Sequence, residues 1–218
     1  TVRDNIHDGY LFMATKHGLV KKTPLSEFKN LRKSGLIAIN LREGDELLKV
    51  KVTRGDADII IVSQEGNAIK FNEQDVRPMG RTASGVRGIN VDGSKVIGMT
   101  TNREGQLIMV VTEKGYGKMS PIDEYRVSNR GGKGVKTINV TERNGQIVAI
   151  RAVEGNEDLL IITDDGIVIR LPMEQVKTAG RATQGVRLIK VHDSKVSSVE
   201  VVAKNEEEVV EEGEEESE

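Results

Sequence analysis

The sequence contains no cysteine and no tryptophan, only 4 prolines, and only 3% aromatic residues in a chain of 218. The absence of cysteine excludes a disulfide scaffold, a thiolate zinc site and a thiol nucleophile. The scarcity of aromatic side chains argues against a surface that stacks single-stranded bases on rings. No apolar run approaches the roughly 20 residues that cross a bilayer, and no charged-then-apolar leader opens the chain. We therefore expect a cytoplasmic protein with no membrane partner.

Charge is unevenly distributed along a chain whose total is close to neutral. The 32 lysines and arginines and the 34 aspartates and glutamates give a net charge of −2. Residues 205–218 hold nine glutamates and no base, so the 32 bases face 25 acids in residues 1–204, a net charge of +7. The tail is too acidic and too poor in apolar residues to order itself, so we expect it to be disordered. It either keeps the protein in solution or competes with a bound polyanion for the basic body.

The chain repeats one unit four times. A glycine that follows a short apolar run recurs every 48 to 51 residues, at Gly18, Gly66, Gly115 and Gly166. A second glycine recurs downstream, at Gly35, Gly85, Gly134 and Gly185, and opens a further strand-like segment at residues 36–41, 86–91, 135–140 and 186–191. Short apolar runs punctuated by glycine, with no sustained 3.6-residue period, predict strands rather than helices.

The length of the unit indicates the fold class. Four short strands in about 50 residues is the scale of a kelch-type propeller blade. A single blade leaves its sheet faces exposed, so each unit needs its neighbours. The sequence therefore predicts an all-β, propeller-like array of four-stranded blades over residues 1–204. The predicted units span about residues 9–54, 55–104, 105–156 and 157–204.

Lysine or arginine recurs at fixed offsets from the first glycine of each unit, a regularity that burial does not require. The offsets are 4, 11, 15 and 21 residues, and we call these sets the +4, +11, +15 and +21 columns. The third unit has Met119 at +4 with Lys118 beside it, and the first unit has no base at +21. The bases are Lys22, Lys70 and Arg170 at +4, to which we add the neighbouring Lys118 of the third unit; Lys29, Arg77, Arg126 and Lys177 at +11; Lys33, Arg81, Arg130 and Arg181 at +15; and Arg87, Lys136 and Arg187 at +21.

Repeated columns would place positive charge along one rim of the array. Such a rim suits a polyanion that follows it, and double-stranded DNA is the natural candidate, because lysine and arginine neutralise phosphates without reading sequence. A curved basic track also bends the duplex when added phosphate contacts offset the cost of bending. Two other interpretations stay open. The bases could lie over apolar rims and maintain solubility, or the array could be a scaffold that binds an acidic protein.

A glycine-rich segment of the third unit reads Arg130-Gly131-Gly132-Lys133-Gly134. Small residues let backbone N–H groups approach a phosphate while Arg130 and Lys133 supply charge. The same residues equally suit a flexible turn between two strands. The segment is not a P-loop, because Gly-Lys is followed by neither serine nor threonine. We add Lys133 to the bases of the four columns as a candidate DNA-binding residue.

These features together resemble a known family. The repeated Arg-x3-Gly-Val, the segment at residues 130–134 and the acidic tail resemble the C-terminal domain of DNA gyrase A, over essentially the whole chain. Residues 21–28 and 112–118 are similar to segments of Gram-positive members. The resemblance implies a β-pinwheel, a disc whose blades exchange strands and whose basic rim wraps DNA. In the holoenzyme such a wrap would support ATP-dependent negative supercoiling.

The sequence departs from the family pattern in its glycine-rich segment. The family's box is Gln-Arg-Arg-Gly-Gly-Lys/Arg-Gly in the first blade, whereas Ser128 and Asn129 fill its first two positions here, in the third unit. Because the family's disc usually has six blades, we expect this chain to be the last four, binding DNA without the box-bearing blade. The corresponding domain of topoisomerase IV, whose disc lacks the complete box, is the nearest alternative.

No pattern in the sequence predicts catalysis. The three histidines are far apart, and neither a metal-ligand spacing nor a nucleophile motif is present. The resemblance places the catalytic tyrosine in the N-terminal part of the gyrase A polypeptide. It also implies that ATP and Mg²⁺ act in a heterotetramer of gyrase A with gyrase B. We therefore expect no catalytic residue, metal or cofactor in this chain itself.

Overall fold

The computed structural model describes residues 8–30 and 33–204 of the chain. Within them the chain forms strands and four short 3₁₀ turns, and no helix there is long and apolar enough to cross a membrane. The predicted acidic tail lies outside the described residues. The strands are β1 (Tyr10–Thr15), β2 (Leu19–Pro24), β3 (Leu47–Thr53), β4 (Asp58–Ser63), β5 (Asn67–Asn72), β6 (Val86–Arg87), β7 (Val96–Thr101), β8 (Leu107–Thr112), β9 (Tyr116–Pro121), β10 (Val135–Lys136), β11 (Ile147–Val153), β12 (Asp158–Thr163), β13 (Val168–Pro172), β14 (Val186–Arg187) and β15 (Val196–Val202).

The strands form one antiparallel sheet per repeat. Three sheets have four strands, in the orders β3-β1-β2-β6, β10-β5-β4-β7 and β11-β8-β9-β14, and the described part of the fourth has the order β13-β12-β15. In the first three sheets the outermost strand comes from the following repeat. On β14, for example, Val186 pairs with Gly117 of β9. This strand exchange confirms the all-β prediction and the β-pinwheel that the resemblance implies.

The apolar run of each repeat becomes a buried strand. On β4, residues 59–62 are fully buried. Successive side chains of a strand point to opposite faces of the sheet. Accordingly, Ile59 packs in one core with Phe12 of the first blade. Ile60 packs in another core with Ile108 of the third. Each blade therefore depends on its neighbours for burial, as in other repeat arrays.

The strands predicted after the second glycines are shorter than expected. They are the two-residue strands β6, β10 and β14, and residues 36–41 form no strand. After Arg87 the chain turns, because the N–H groups of Gly88 and Ile89 donate to the carbonyl of Gly18, at 2.8 and 3.2 Å. Residues 36–41 have no preceding repeat among the described residues to supply a pairing strand.

The two edges of each sheet have different surroundings. At one edge, β3, β7, β11 and β15 contact one another in series and line a central cavity of about 280 Å³. The opposite edge consists of β2, β5 and β9 with their exchanged strands β6, β10 and β14. We call this outer edge the rim.

Candidate nucleic-acid interface

In the second, third and fourth repeats, the loop between the two glycines crosses onto the rim of the preceding blade. Ser128 N donates to the carbonyl of Lys70 on β5 at 2.8 Å, and Ala179 N donates to the carbonyl of Met119 on β9 at 2.8 Å. An equivalent contact joins the second repeat to β2. Before each crossing a buried residue anchors the loop, such as Tyr125, which is 1% exposed. Main-chain hydrogen bonds and a core anchor thus hold each basic loop in the same place.

The +11 column lies at the surface of these crossing loops. All four of its residues are exposed, and none forms an ion pair with a carboxylate of the described residues. These residues are Lys29, Arg77, Arg126 and Lys177. Three of them precede a residue that forms a parallel bridge with the rim strand of the preceding blade, as Arg126 precedes Val127. The column is therefore free to meet a ligand along the rim.

The +21 column lies on the rim strands themselves. Arg87, Lys136 and Arg187 each occupy the second position of an exchanged strand, and all three are exposed. Each contributes a charge to the rim of the blade before its own repeat. The +11 and +21 columns therefore lie on the same edge of the array, as a track for a polyanion requires.

The +15 column supports the rim as well as charging it. Lys33 is exposed, but Arg81, Arg130 and Arg181 are half-buried. Nη1 of Arg81 donates to the carbonyl of Ile37 at 3.0 Å. The other two arginines use Nη1 to reach the +21 residue of the preceding repeat. Their acceptors are the carbonyl oxygens of Arg87, 3.0 Å from Arg130, and Lys136, 2.7 Å from Arg181. These guanidinium groups link successive rim segments to one another.

The prediction that the +4 column and the neighbouring Lys118 contact DNA is not supported by the burial of three of these four residues. Lys22, Lys70 and Lys118 are 4%, 8% and 0% exposed, because the loop of the following repeat crosses over them. Nζ of Lys22 donates to the carbonyl of Glu73 at 2.9 Å. Nζ of Lys70 lies 4.0 Å from a carboxylate oxygen of Asp58. Buried charges of this kind are satisfied by internal partners, so they cannot meet a phosphate outside.

Arg170, the +4 residue of the fourth repeat, behaves differently from the other three. Its side chain is 40% exposed, and Nε donates to Asp158 Oδ2 at 2.7 Å. No loop of a following repeat covers it within the described residues. The ion pair lowers the net charge that Arg170 presents, so it contributes less to the track than the +11 and +21 bases.

Two buried lysines hold the crossing loops from below. Nζ of Lys118 donates to the carbonyl oxygens of Gly180 and Arg181, each at 2.6 Å. Lys21, which occupies the equivalent position three residues after its glycine, donates from Nζ to the carbonyl oxygens of Ala38 and Arg81. Burial lowers the pKa of each of these ammonium groups to about 8. Each lysine thus fixes the backbone at a +15 arginine of the next repeat.

The glycine-rich segment packs against the second repeat. Gly131 N donates to the carbonyl of Gly88 at 2.7 Å, so this N–H is not available to a phosphate. Gly134 has a φ of +78°, and a Cβ there would lie 2.1 Å from the carbonyl oxygen of Ala68. Lys133 is exposed but forms an ion pair with Asp92. The close approach of two backbones requires glycine at position 134, which favours the turn interpretation of this segment.

Some basic residues were not predicted as functional, because they do not recur in every repeat. Lys21 has an equivalent only in Lys118, since the other two repeats have isoleucine at that offset. Lys114 and Arg143 occur once, beside the +21 residue Arg187. A search for columns finds only what every repeat shares. Comparing alternate repeats would have paired Lys21 with Lys118.

The described residues contain no group of three or more histidine, cysteine or acidic side chains that could hold a metal ion.

Comparison with known sequences identifies the family. The family model described as DNA gyrase C-terminal domain, beta-propeller, matches residues 9–54, 57–102, 106–154 and 157–203. DNA gyrase A of Staphylococcus epidermidis is 48% identical over 204 residues, which cover 92% of this chain and 23% of that protein. The chain thus spans about a quarter of the length of the curated relatives that it matches.

Solved structures share the fold. A DNA gyrase A C-terminal domain superimposes with a TM-score of 0.82 at 24% identity, over 92% of this chain and 68% of that one. The C-terminal domain of DNA topoisomerase IV superimposes with a TM-score of 0.86 at 25% identity, over 93% and 64% of the two chains. The two folds are therefore alike, and it is the 48% sequence identity that favours gyrase over topoisomerase IV.

The strand exchange, the four repeats and the basic outer edge define a β-pinwheel domain, a propeller-like array whose blades share strands. This chain belongs to the DNA gyrase C-terminal domain family. The resemblance indicated by its sequence motifs is confirmed.

Proposed function

We propose that this chain binds double-stranded DNA along its rim without sequence specificity, and that it bends or wraps the duplex in support of negative supercoiling by DNA gyrase. The observation that carries the proposal is the recurrence of exposed +11 bases on crossing loops held by equivalent main-chain bonds. The +21 bases extend the same edge. A duplex that follows this edge meets one group of charges after another.

The physics of the rim matches non-specific recognition. Exposed lysine and arginine neutralise phosphates and release counterions, and this term carries no sequence information. A rim that continues from blade to blade favours a bent duplex, because each added phosphate contact offsets part of the bending cost. The buried lysines cannot contribute such contacts. We therefore assign DNA contact to the +11 and +21 columns, to Lys33, and to those N–H groups of the +15 arginines that form no hydrogen bond within the protein.

The role of the whole protein is part of the same proposal. The curated relatives are DNA gyrase A proteins, and the chain covers 23% of the first of them. We place the remaining steps outside this domain: ATP, Mg²⁺ and the catalytic tyrosine act in the N-terminal part of gyrase A and in gyrase B, within a cytoplasmic heterotetramer. This domain supplies the bound and bent DNA.

Duplex binding at several salt concentrations tests the proposal. The variant Arg77→Gln, Arg126→Gln, Lys177→Gln removes three +11 charges. The control variant Arg54→Gln, Arg103→Gln, Lys204→Gln removes three charges from connections beside the inner strands β3, β7 and β15. Each phosphate contact adds about 0.9 to the slope of log affinity against log salt.

The rim variant should lose about 3 units of that slope and most of its affinity at 150 mM salt, roughly one unit for each contact removed. The control should stay close to the parent, and unrelated duplexes should bind alike. Equal losses in the two variants would mean that net charge, not the rim, binds DNA. No duplex affinity in the parent chain would leave the protein-binding scaffold as the alternative.

A further inference from the structure

Bases outside the four columns gather in a single cavity between the third and fourth repeats. The cavity has a volume of about 440 Å³. Its lining includes the +21 residue Arg187, so it opens onto the rim at β14. Its basic and aromatic lining residues include Lys114, Tyr116, Arg143, Arg187, Lys190 and Lys195.

One tyrosine holds two guanidinium groups together in this cavity. Nε of Arg143 donates to Tyr116 Oη at 3.1 Å, and Nη2 of Arg187 donates to the same oxygen at 3.0 Å. Each guanidinium carbon also lies 5.5 Å from the centre of the tyrosine ring, within the range of a cation–π contact. The two hydrogen bonds lower the pKa of Tyr116. Two like charges thus converge on one oxygen atom.

The charges of the cavity are only partly compensated. Lys195 pairs with Glu113 at 2.7 Å, and Asp193 lines the wall. Arg143, Arg187 and Lys190 form no ion pair with any carboxylate of the described residues. Two guanidinium groups side by side repel each other unless an anion joins them. Their unused N–H groups have the fork geometry that suits the oxygens of a phosphate.

The side chains that form this cavity are not repeated at the equivalent positions of the other units. The residue after the first glycine is Tyr116 in the third repeat, whereas the other repeats have leucine, asparagine or isoleucine there. The position of Arg143 is filled by glutamate or serine in the other repeats. The arrangement is therefore a local device, distinct from the rim columns that every repeat shares.

We propose that this cavity is a phosphate site in which Arg143 and Arg187, positioned by Tyr116, clamp one backbone phosphate of a duplex that follows the rim. The inference rests on the proposed function. It adds one phosphate contact that is not repeated to the bases that recur along the rim. A contact made in only one place sets where the duplex lies along the array. Lys190 adds charge at the same wall without a partner of its own among the described residues.

The test compares Arg143→Gln and Tyr116→Phe with the control Arg103→Gln, whose arginine is exposed on the turn between β7 and β8. Duplex affinity and its salt slope are measured on the full chain, together with a hydroxyl-radical footprint. Inorganic phosphate is titrated separately against each protein by calorimetry. Urea unfolding verifies that the variants are folded.

Arg143→Gln should weaken duplex binding roughly tenfold, the loss of a charged hydrogen bond, and lower the salt slope by about 1. Protection of the duplex in the footprint should persist, because the rim bases are unchanged. Tyr116→Phe keeps the ring but frees the guanidinium groups, so we expect a smaller loss in the same direction. Arg103→Gln should match the parent in all three measurements.

The outcomes separate this inference from the proposed function. If the parent binds DNA, the +11 variant does not, and Arg143→Gln behaves like Arg103→Gln, the cavity proposal is wrong while rim binding stands. If the cavity binds inorganic phosphate but the parent has no duplex affinity, both the assignment to duplex DNA and the proposed function fail. A tenfold loss specific to Arg143→Gln supports the clamp.

Discussion

The ammonium group of Lys118 lies 2.6 Å from the carbonyl oxygen of Arg181, so a buried base in the third blade fixes the backbone at a rim base of the fourth. Lys21 makes the same kind of contact with the carbonyl of Arg81. The bases of this protein therefore divide into two groups. Exposed ones are available to a polyanion, and buried ones hold the loops that carry them. Both groups are basic in sequence, and only their surroundings distinguish them.

Replacing Lys118 should weaken the fourth blade's loop in a way that depends on pH. Burial lowers the pKa of Lys118 to about 8, with Glu124 opposing the shift and Arg181 adding to it. Between about pH 8 and the ordinary lysine pKa of 10.5, the folded state binds fewer protons at this group than the unfolded chain. The stability that Lys118 contributes therefore rises with pH across that window and is constant below it.

For Lys118→Met we expect a loss of about 1 kcal/mol at pH 7, since two carbonyl groups lose their donor. The difference in free energy of unfolding between the parent and the variant should increase between pH 8 and pH 10, as measured by urea unfolding at each pH. Lys177→Met, which removes an exposed base from the same loop, should show a flat gap within about 0.5 kcal/mol. A gap that narrows as the pH rises would contradict the assignment.

Gly134→Ala should disrupt the strand exchange between the second and third repeats. A Cβ at this position would lie 2.1 Å from the carbonyl oxygen of Ala68, and φ is +78°. The strained backbone and the clash fall where β10 pairs with β5. We expect a loss of about 2–4 kcal/mol in the free energy of unfolding, since a special backbone position and a buried pairing fail together.

The matched control is Gly80→Ala, on the equivalent crossing loop of the second repeat. This glycine has no atom within 4 Å of an added Cβ, and its φ is not in the left-handed range. Its substitution should change stability by less than about 0.5 kcal/mol. Equal effects of the two alanines in thermal unfolding would mean that the exchanged strand does not depend on the close approach.

Periodicity was enough to predict the blades. The apolar run at residues 59–62 is continuous because both faces of β4 are covered, and a continuous run of this length is typical of a buried strand. The recurring glycines also predicted the turns correctly, because the backbone there adopts the left-handed conformation that favours glycine. Features imposed by local chain geometry therefore appear in the sequence directly.

Burial of the lysines could not be predicted in this way. Lys70 and Arg77 are both bases at fixed offsets, yet the first is buried and the second exposed, because the crossing loop of the next repeat lies over β5. The residues that bury Lys70 belong to the next repeat, more than 50 positions along the chain. The offset of a base within its own repeat carries no information about such distant contacts. The short length of β6, β10 and β14 has a similar cause, since contacts with the hairpin turn of the preceding repeat end them.

Substitutions at Arg126 and Arg130 should separate contact with DNA from support of the rim. Arg126 is exposed without an ion-pair partner among the described residues, whereas Arg130 donates to the carbonyl oxygens of Asp75 and Arg87, each at 3.0 Å. Arg126→Gln should lower the salt slope of duplex binding by about 1 and leave unfolding unchanged within about 0.5 kcal/mol. Arg130→Gln should lower the free energy of unfolding by about 1–2 kcal/mol as well as duplex affinity.

Urea unfolding and duplex binding on the same samples distinguish the two roles. Arg130 donates two hydrogen bonds to carbonyl oxygens within the protein. Its loss therefore loosens the loop that carries residues 131–134 and also removes a charge. If Arg126→Gln destabilised the fold as much as Arg130→Gln, the +11 column would be structural. The DNA contacts would then have to come mainly from the +21 bases Arg87, Lys136 and Arg187.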